Sequence, residues 1–185
     1  REVLRYGADV EHVTLVDLDG AMTKLALEAT ELAELKGRAL ADPKLRVIND
    51  DAMQWLTNID EQFDVVIVDF PDPNNFSLGK LYTTRFYDLL ARRIAPGGVT
   101  VIQSTSPLFA RRSYWCIDTT LRAAGFTTRP YHVWVPSFGE WGYVLASKTS
   151  SLAPQHALPE GLRFLTDDTM PTLFQFPKDM DRVPA

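Results

Sequence analysis

VTLVDLDGAMTKLA, Val13 to Ala26, reads as a buried strand, an acidic turn and the start of a helix. The apolar, β-rich run ends at Asp17, and the residues after Gly20 switch to helical spacing. In nucleotide-binding proteins a carboxylate at such a strand end accepts hydrogen bonds from the 2′ and 3′ hydroxyls of a ribose, ~20 residues after the first glycine of a phosphate or cofactor loop. Counting back from Asp17 puts that loop immediately before Arg1. The opening REVLRY is amphipathic and has neither an initiator methionine nor a capping residue ahead of it, so it reads as a helix cut partway through.

Working outward, strand and helix templates alternate. Met22, Leu25, Ala26, Ala29, Leu32, Ala33 and Leu35 predict a helix face over 20–36; a strand follows at 44–48 and a helix at 51–57. FDVVIVDF, 63–70, is almost continuously apolar, as a parallel strand covered on both faces reads. A helix over about 82–94 leads through Pro96, Gly97 and Gly98 into a strand at 99–104, and a further helix over about 110–123 ends at Gly125. Two β-rich runs at 126–135 and 141–147, joined by PSFGE, read as an antiparallel hairpin.

This pattern predicts an α/β fold: a methyltransferase-like Rossmann domain with a mostly parallel sheet, helices on both faces and a C-terminal antiparallel hairpin, its first strand missing. The expected domain spans residues 1–148. Residues 149–185, with five prolines from Ser150 onward and little periodicity, read as an extended tail with a short helix near 167–174.

Composition narrows the function classes. A chain of 185 residues, 45% hydrophobic, can bury one good core. Its net charge of −5 lacks the basic face that a nucleic-acid binder needs. Cys116 is the single cysteine, which excludes an internal disulfide and a multi-thiolate metal site; a buried free thiol is expected. No apolar run approaches the length of about 18 residues that spans a membrane, and no signal peptide opens the chain.

In an open parallel sheet the ligand sits beyond the carboxyl ends of the strands. Carboxylates stand at three successive ends: Asp17 and Asp19, Asp50 and Asp51, Asp69 and Asp72. Each pair could be a solvated turn or a helix cap, and Asp50 reads as a cap. Asp51 stands where an adenine amino group needs an acceptor, and Ala52 after it keeps the approach to the base open. In DFPDPNN, 69–75, Pro71 and Pro73 stiffen the loop, so its two carboxylates sit on a rigid bend. Facing one cleft, they would suit a cationic amine and could take its proton. A Pro-Asp surface turn is the plain alternative, and a metal site ranks last, with no histidine nearby.

These residues resemble the polyamine aminopropyltransferases, of which spermidine synthase is the best-known member. The resemblance runs from Arg1 to about Lys148. It rests on LVDLD, NDDAMQWL, DFPDP, LYTTRFYDLLARRIAPGGV and PSFGEWGYVLASK. It implies transfer of an aminopropyl group from decarboxylated S-adenosylmethionine, a co-substrate rather than a prosthetic group, to a diamine such as putrescine, giving spermidine and 5′-methylthioadenosine. By resemblance Asp17 binds the ribose, Asp51 the adenine, Asp69 is the base, Asp72 holds the cation and Gln103 contacts the diamine. Phe138 and Trp141 would wall the amine cleft, though core packing explains aromatic residues equally well.

Two departures stand out: the serines of the family's usual loop are Phe70 and Pro71, and a tyrosine expected on the hairpin is Phe138. These resemble the branch whose catalytic domain follows membrane-spanning helices. The resemblance thus implies a cytoplasmic domain, a plasma-membrane anchor ahead of Arg1, and a homo-oligomer, a dimer being the expectation. Without the glycine loop and the central strand, the fragment is expected to bind nucleotide poorly and to pair through the gap with a partner chain.

Two rivals use the same features. An S-adenosylmethionine-dependent methyltransferase would share Asp17 and Asp51, but Asp69 and Asp72 would repel its cofactor's carboxylate. A non-catalytic synthase-like module would serve assembly. His12, His132 and His156 show no metal-binding spacing. Arg111 and Arg112 read as a solvated helix face, and Ser104, Thr105 and Ser106 as turn or cap residues.

Overall fold

The computed structural model describes residues 1–35, 37–149, 152–153 and 157–183. Lys36 and His156 lie outside the described residues, as do the side chains of Leu32 and Ala33. The chain divides into two compact units, Arg1–Ile59 and Asp60–Ala185.

The first unit opens with a 3-10 helix, Val3–Asp9, kinked at Gly7 (φ 56°), where a longer amphipathic helix was expected. Strand β1, Val13–Asp17, pairs in parallel with β2, Leu45–Asn49, and Asp17 stands opposite Asn49. The helix expected over 20–36 is two: α1, Gly20–Glu28, and α2, Thr30–Leu35. Ala29 between them turns extended, at ψ 112°, and rotates the phase of the apolar residues. The predicted face is not a buried one: Ala26 is buried, whereas Met22 and Leu25 before the break and Leu35 after it are exposed. Helix α3, Ala52–Asn58, closes the unit.

Asp19 caps α1, accepting the N–H groups of Ala21 and Met22 at 2.9 and 3.1 Å. Such a cap contributes about 1 kcal/mol, within a range of roughly 0.5–2. Asp19→Ala is therefore expected to lower stability by about that amount in a denaturant titration. A loss several-fold greater would mean that Asp19 holds more than the helix end.

In the second unit β3, Phe63–Val68, runs parallel to β4, Ile94–Gln103. β4 pairs antiparallel with β6, Gly139–Ser147, and β6 with β5, Thr127–Val135, which is the expected hairpin. Parallel pairing is thus confined to β1–β2 and β3–β4. β4 begins earlier than its apolar run, because Ile94 already pairs with Phe63 across an irregularity that absorbs the Pro-Gly-Gly segment. The expectation that β3 is covered on both faces fails: Val68 is buried, but Val65 and Ile67, on the other side of the pleat, are 62% and 58% exposed.

Helix α4, Phe76–Gly79, and a 3-10 turn at Lys80–Tyr82 precede α5, Thr84–Arg92; α6 spans Arg111–Ala123 and ends before Gly125 (φ 79°), as predicted. Phe86, Tyr87 and Leu90 of α5, Tyr114 and Leu121 of α6, and Ile102 and Val144 of the sheet are essentially inaccessible to solvent. Each stabilises the unit by about 1.5–3 kcal/mol of apolar transfer. Cys116 is exposed rather than buried, because α6 turns Tyr114, Trp115 and Ile117 inward and leaves Arg112, Ser113 and Cys116 on its outer face.

The C-terminal segment is a strap. Trp115 Nε1 donates to Met180 O (3.0 Å), Arg111 Nε donates to Asp181 O (2.6 Å), and Arg182 pairs with buried Asp118. His132 sits between the Glu140 carboxylate and Gln175 O, at 2.8 and 2.9 Å. Among the described residues no helix is long and apolar enough to cross a membrane.

Candidate active site

The DFPDP loop leaves the carboxyl end of β3, and three features fix its path. Pro71 and Pro73 restrict the backbone. Phe70 packs edge-on against buried Phe86, ring centroids 5.6 Å apart. The Tyr82 hydroxyl lies within hydrogen-bonding distance of Phe70 O (3.2 Å), Pro71 O (3.1 Å) and Gln103 Oε1 (3.3 Å). Burial first, then the charges of Asp72 and Asp69, hold this phenol far above its ordinary pKa. It is therefore a permanent donor, and both carboxylates act on it at once.

The two carboxylates differ in environment. Asp72 accepts from Gln103 Nε2 at Oδ1 (3.1 Å) and from Thr105 Oγ1 at Oδ2 (2.9 Å). Gln103 ends β4 and is buried. Its amide is oriented by its neighbours: the carboxylate can only accept, so the NH₂ faces Asp72 and the carbonyl faces the Tyr82 hydroxyl. Asp69 is exposed and makes no hydrogen bond among the described residues. One carboxylate is held at both oxygens while the other stays available.

Two residues here escaped sequence reading. Thr105 was expected to serve a turn, and Ser106 does so by accepting from Leu108 and Phe109 N–H; Thr105 instead turns its hydroxyl onto Asp72. Tyr143 stands directly opposite Gln103 in the β4–β6 ladder, so both side chains lie on one face. Burial, followed by the charge of Asp69, raises its phenol. Tyr143 thus places a phenol on the same hairpin as Phe138, at a different position. Phe138 is exposed at the hairpin turn, its ring 5.2 Å from that of Trp141. No hydrogen bond ties either aromatic side chain to Asp69, Asp72 or Gln103 among the described residues.

A groove of about 540 Å³ is lined by Pro73 and Tyr82 on the loop side and by Arg112, Cys116 and Ile117 of α6. Neither carboxylate lines it, but Pro73 and Tyr82 border both the groove and the acidic loop. No group of three or more histidine, cysteine, aspartate or glutamate side chains is placed to hold a metal ion among the described residues.

In the first unit Asp17 and Asp51 lie at the adjacent carboxyl ends of β1 and β2. Asp17 Oδ1 accepts the Asp19 N–H (2.7 Å), and its carbonyl accepts the Asp50 N–H (3.2 Å). Asp51, rather than Asp50, is the cap of α3, taking the N–H groups of Met53 and Gln54 at 2.9 and 3.2 Å. The helix starts at Ala52, one residue beyond the sequence-based boundary, and that shift moves the cap from Asp50 to Asp51. Asp50 Oδ1 accepts the Asp51 N–H.

The spermine/spermidine synthase domain pattern matches residues 1–156. The chain belongs to this family. It is 52% identical over 183 residues to polyamine aminopropyltransferase 2 of Ralstonia nicotianae, covering 98% of this chain and 36% of that protein. It is 52% identical over 185 residues to the polyamine aminopropyltransferase of Leptospira interrogans, covering 100% and 37%. The chain therefore spans about a third of the length of these spermine/spermidine synthase relatives. The crystal structure of spermidine synthase from Thermotoga maritima superposes with a TM-score of 0.80 at 22% identity, over 96% of this chain and 61% of that one. A spermidine synthase in complex with the transition-state analogue AdoDATO gives 0.81, also at 22%, over 96% and 62%. The expected methyltransferase-like Rossmann fold of the synthase family is thereby established.

Proposed function

We propose that this chain carries the amine-activating centre of an aminopropyltransferase. The observation that supports the reading is the unequal pair of carboxylates on one rigid loop, Asp72 held by Gln103 and Thr105, Asp69 exposed and without a hydrogen bond among the described residues. A diamine is a dication in water, and a site carrying two carboxylates attracts it. For transfer, one amine must present its lone pair to the methylene next to a sulfonium. The nitrogen–carbon bond forms as the carbon–sulfur bond breaks, the electron pair of that bond stays on sulfur, and neutral 5′-methylthioadenosine departs. The proton that the attacking ammonium must first lose to expose that lone pair goes to Asp69, and the nitrogen leaves as the secondary ammonium of the product. Asp72 balances the charge of the bound amine, Gln103 orients it, and Tyr143 and Tyr82 remain protonated donors.

In the same reading Asp17 receives the ribose hydroxyls and Asp51 the adenine amino group of decarboxylated S-adenosylmethionine. A capping carboxylate offers about four lone-pair positions, so helix capping and base recognition are compatible. The reaction needs no prosthetic group, because the leaving group comes with the co-substrate. Its catalytic demand is alignment, which can contribute about 7–11 kcal/mol when the reacting atoms are held in near-attack geometry.

The test compares two donors. The full-length protein with putrescine and decarboxylated S-adenosylmethionine is expected to release 5′-methylthioadenosine. With intact S-adenosylmethionine, no S-adenosylhomocysteine is expected. Methyl transfer from the intact donor, with none of the decarboxylated donor consumed, would overturn the reading.

A further inference from the structure

We propose that Thr105 is a positioning residue that sets the orientation of Asp72, an inference resting on the aminopropyl-transfer reading above. Its backbone lies at φ 61°, in the left-handed region that a β-branched residue rarely occupies. Glycine or asparagine would adopt that conformation with less strain, yet glycine carries no hydroxyl. Strain of this kind persists only where the surroundings impose it.

They do so here. Thr105 is buried, and its carbonyl accepts the Gly142 N–H at 2.7 Å while the Ser104 N–H donates to Gly142 O at 2.9 Å. The chain just past β4 is thus pinned to β6 on both sides of the strained residue. The consequence is a hydroxyl aimed at Asp72 Oδ2. Gln103 holds only the other oxygen, and one hydrogen bond allows the carboxylate to pivot about it. Two donors from one strand end fix its plane.

Three substitutions in the full-length protein separate this role from a merely structural one. Thr105→Val keeps the shape, the branching and the backbone strain but removes the hydroxyl. Thr105→Ser keeps the hydroxyl. Thr105→Gly removes the hydroxyl and relieves the strain. One hydrogen bond to a charged group corresponds to about ten-fold or more in a rate or binding ratio. Thr105→Val and Thr105→Gly are therefore expected to lower kcat/KM for the diamine about ten-fold, chiefly through KM, with KM for the nucleoside co-substrate unchanged. Thr105→Ser is expected to stay within about two-fold of wild type. Thr105→Gly should melt no lower than wild type.

Activity that follows stability, with Gly matching wild type or Val matching Ser, would overturn the proposal. A crystal structure of Thr105→Val supplies a readout independent of turnover. Asp72 rotated away from its wild-type rotamer supports the role, and an unmoved carboxylate overturns it. Absence of transfer by the wild-type protein would instead overturn the functional reading, leaving the rotamer of Asp72 to decide the role of Thr105.

Discussion

Asp69→Asn is expected to lower kcat/KM for aminopropyl transfer by about 10²–10⁴-fold, the range for losing a general base. Asparagine has the shape and reach of aspartate but cannot take a proton from the attacking amine. The substitution should leave folding intact, because Asp69 is exposed and no hydrogen bond depends on it among the described residues. Asp72→Asn is a less clean experiment. Each Asp72 oxygen accepts from a donor, Gln103 Nε2 or Thr105 Oγ1, and an amide would either meet the Gln103 NH₂ with its own or reverse the bond to the Thr105 hydroxyl, so its effect mixes lost charge with a rearranged network. The measurement is initial-rate release of 5′-methylthioadenosine beside a denaturant titration of the same protein. Activity within a few-fold of wild type would remove Asp69 from proton transfer and leave the loop with an electrostatic role only.

The alternation of strands and helices was legible because it depends on local patterning, and so was the acidic loop, because proline and aspartate have strong local preferences. What sequence did not reveal depends on phase or on distant pairing. The break at Ala29 carries no proline or glycine, and the leucines on both sides of it, Leu25 and Leu35, are exposed where a buried stripe was predicted. Cys116 depends on the rotation of α6 about its own axis, which a run as mixed as RRSYWCID leaves open. A single-residue shift in the start of α3 exchanged Asp50 for Asp51 as the cap.

The candidate site follows the same division. Asp69 and Asp72 stand just past a strand end and could be read from position, whereas Gln103 came from the family resemblance alone. Thr105 and Tyr143 acquire their places from the β4–β6 pairing, which no local pattern encodes. The sole hint of it was a glycine inside a strand, where the lack of a side chain to pack weakens the strand unless another group must approach closely.

That glycine is Gly142, and its replacement by alanine is expected to be the most damaging small change in the second unit. A Cβ there would lie 2.3 Å from Tyr114 Cε2, 2.6 Å from Cδ2 and 2.8 Å from Thr105 O. Tyr114 has little freedom to retreat: it is fully buried, its hydroxyl reaches the carbonyls of Tyr131 and Tyr143, and its ring packs edge-on against Trp115. The Thr105 carbonyl is no freer, being bonded to the Gly142 N–H itself. Overpacking costs about 1–3 kcal/mol and each displaced hydrogen bond about 1 more, so a loss of about 3–5 kcal/mol is expected. For a domain whose total stability is on the order of 5–15 kcal/mol this is a large fraction. The midpoint of denaturant unfolding should fall with its slope unchanged. Tyr114→Leu in the Gly142→Ala background removes the ring atoms that clash, so the double variant should lose less stability than the sum of the two single changes. Strict additivity, or a single-variant loss below about 1 kcal/mol, would show that the ring and the strand do not meet as described. Activity gives the second half of the argument. Gly142 carries the N–H that pins Thr105, and Thr105 holds Asp72, so the folded fraction of Gly142→Ala should bind the diamine weakly as well. On the proposed function, core packing and amine recognition would meet at this residue, and one added methyl group is expected to disturb both.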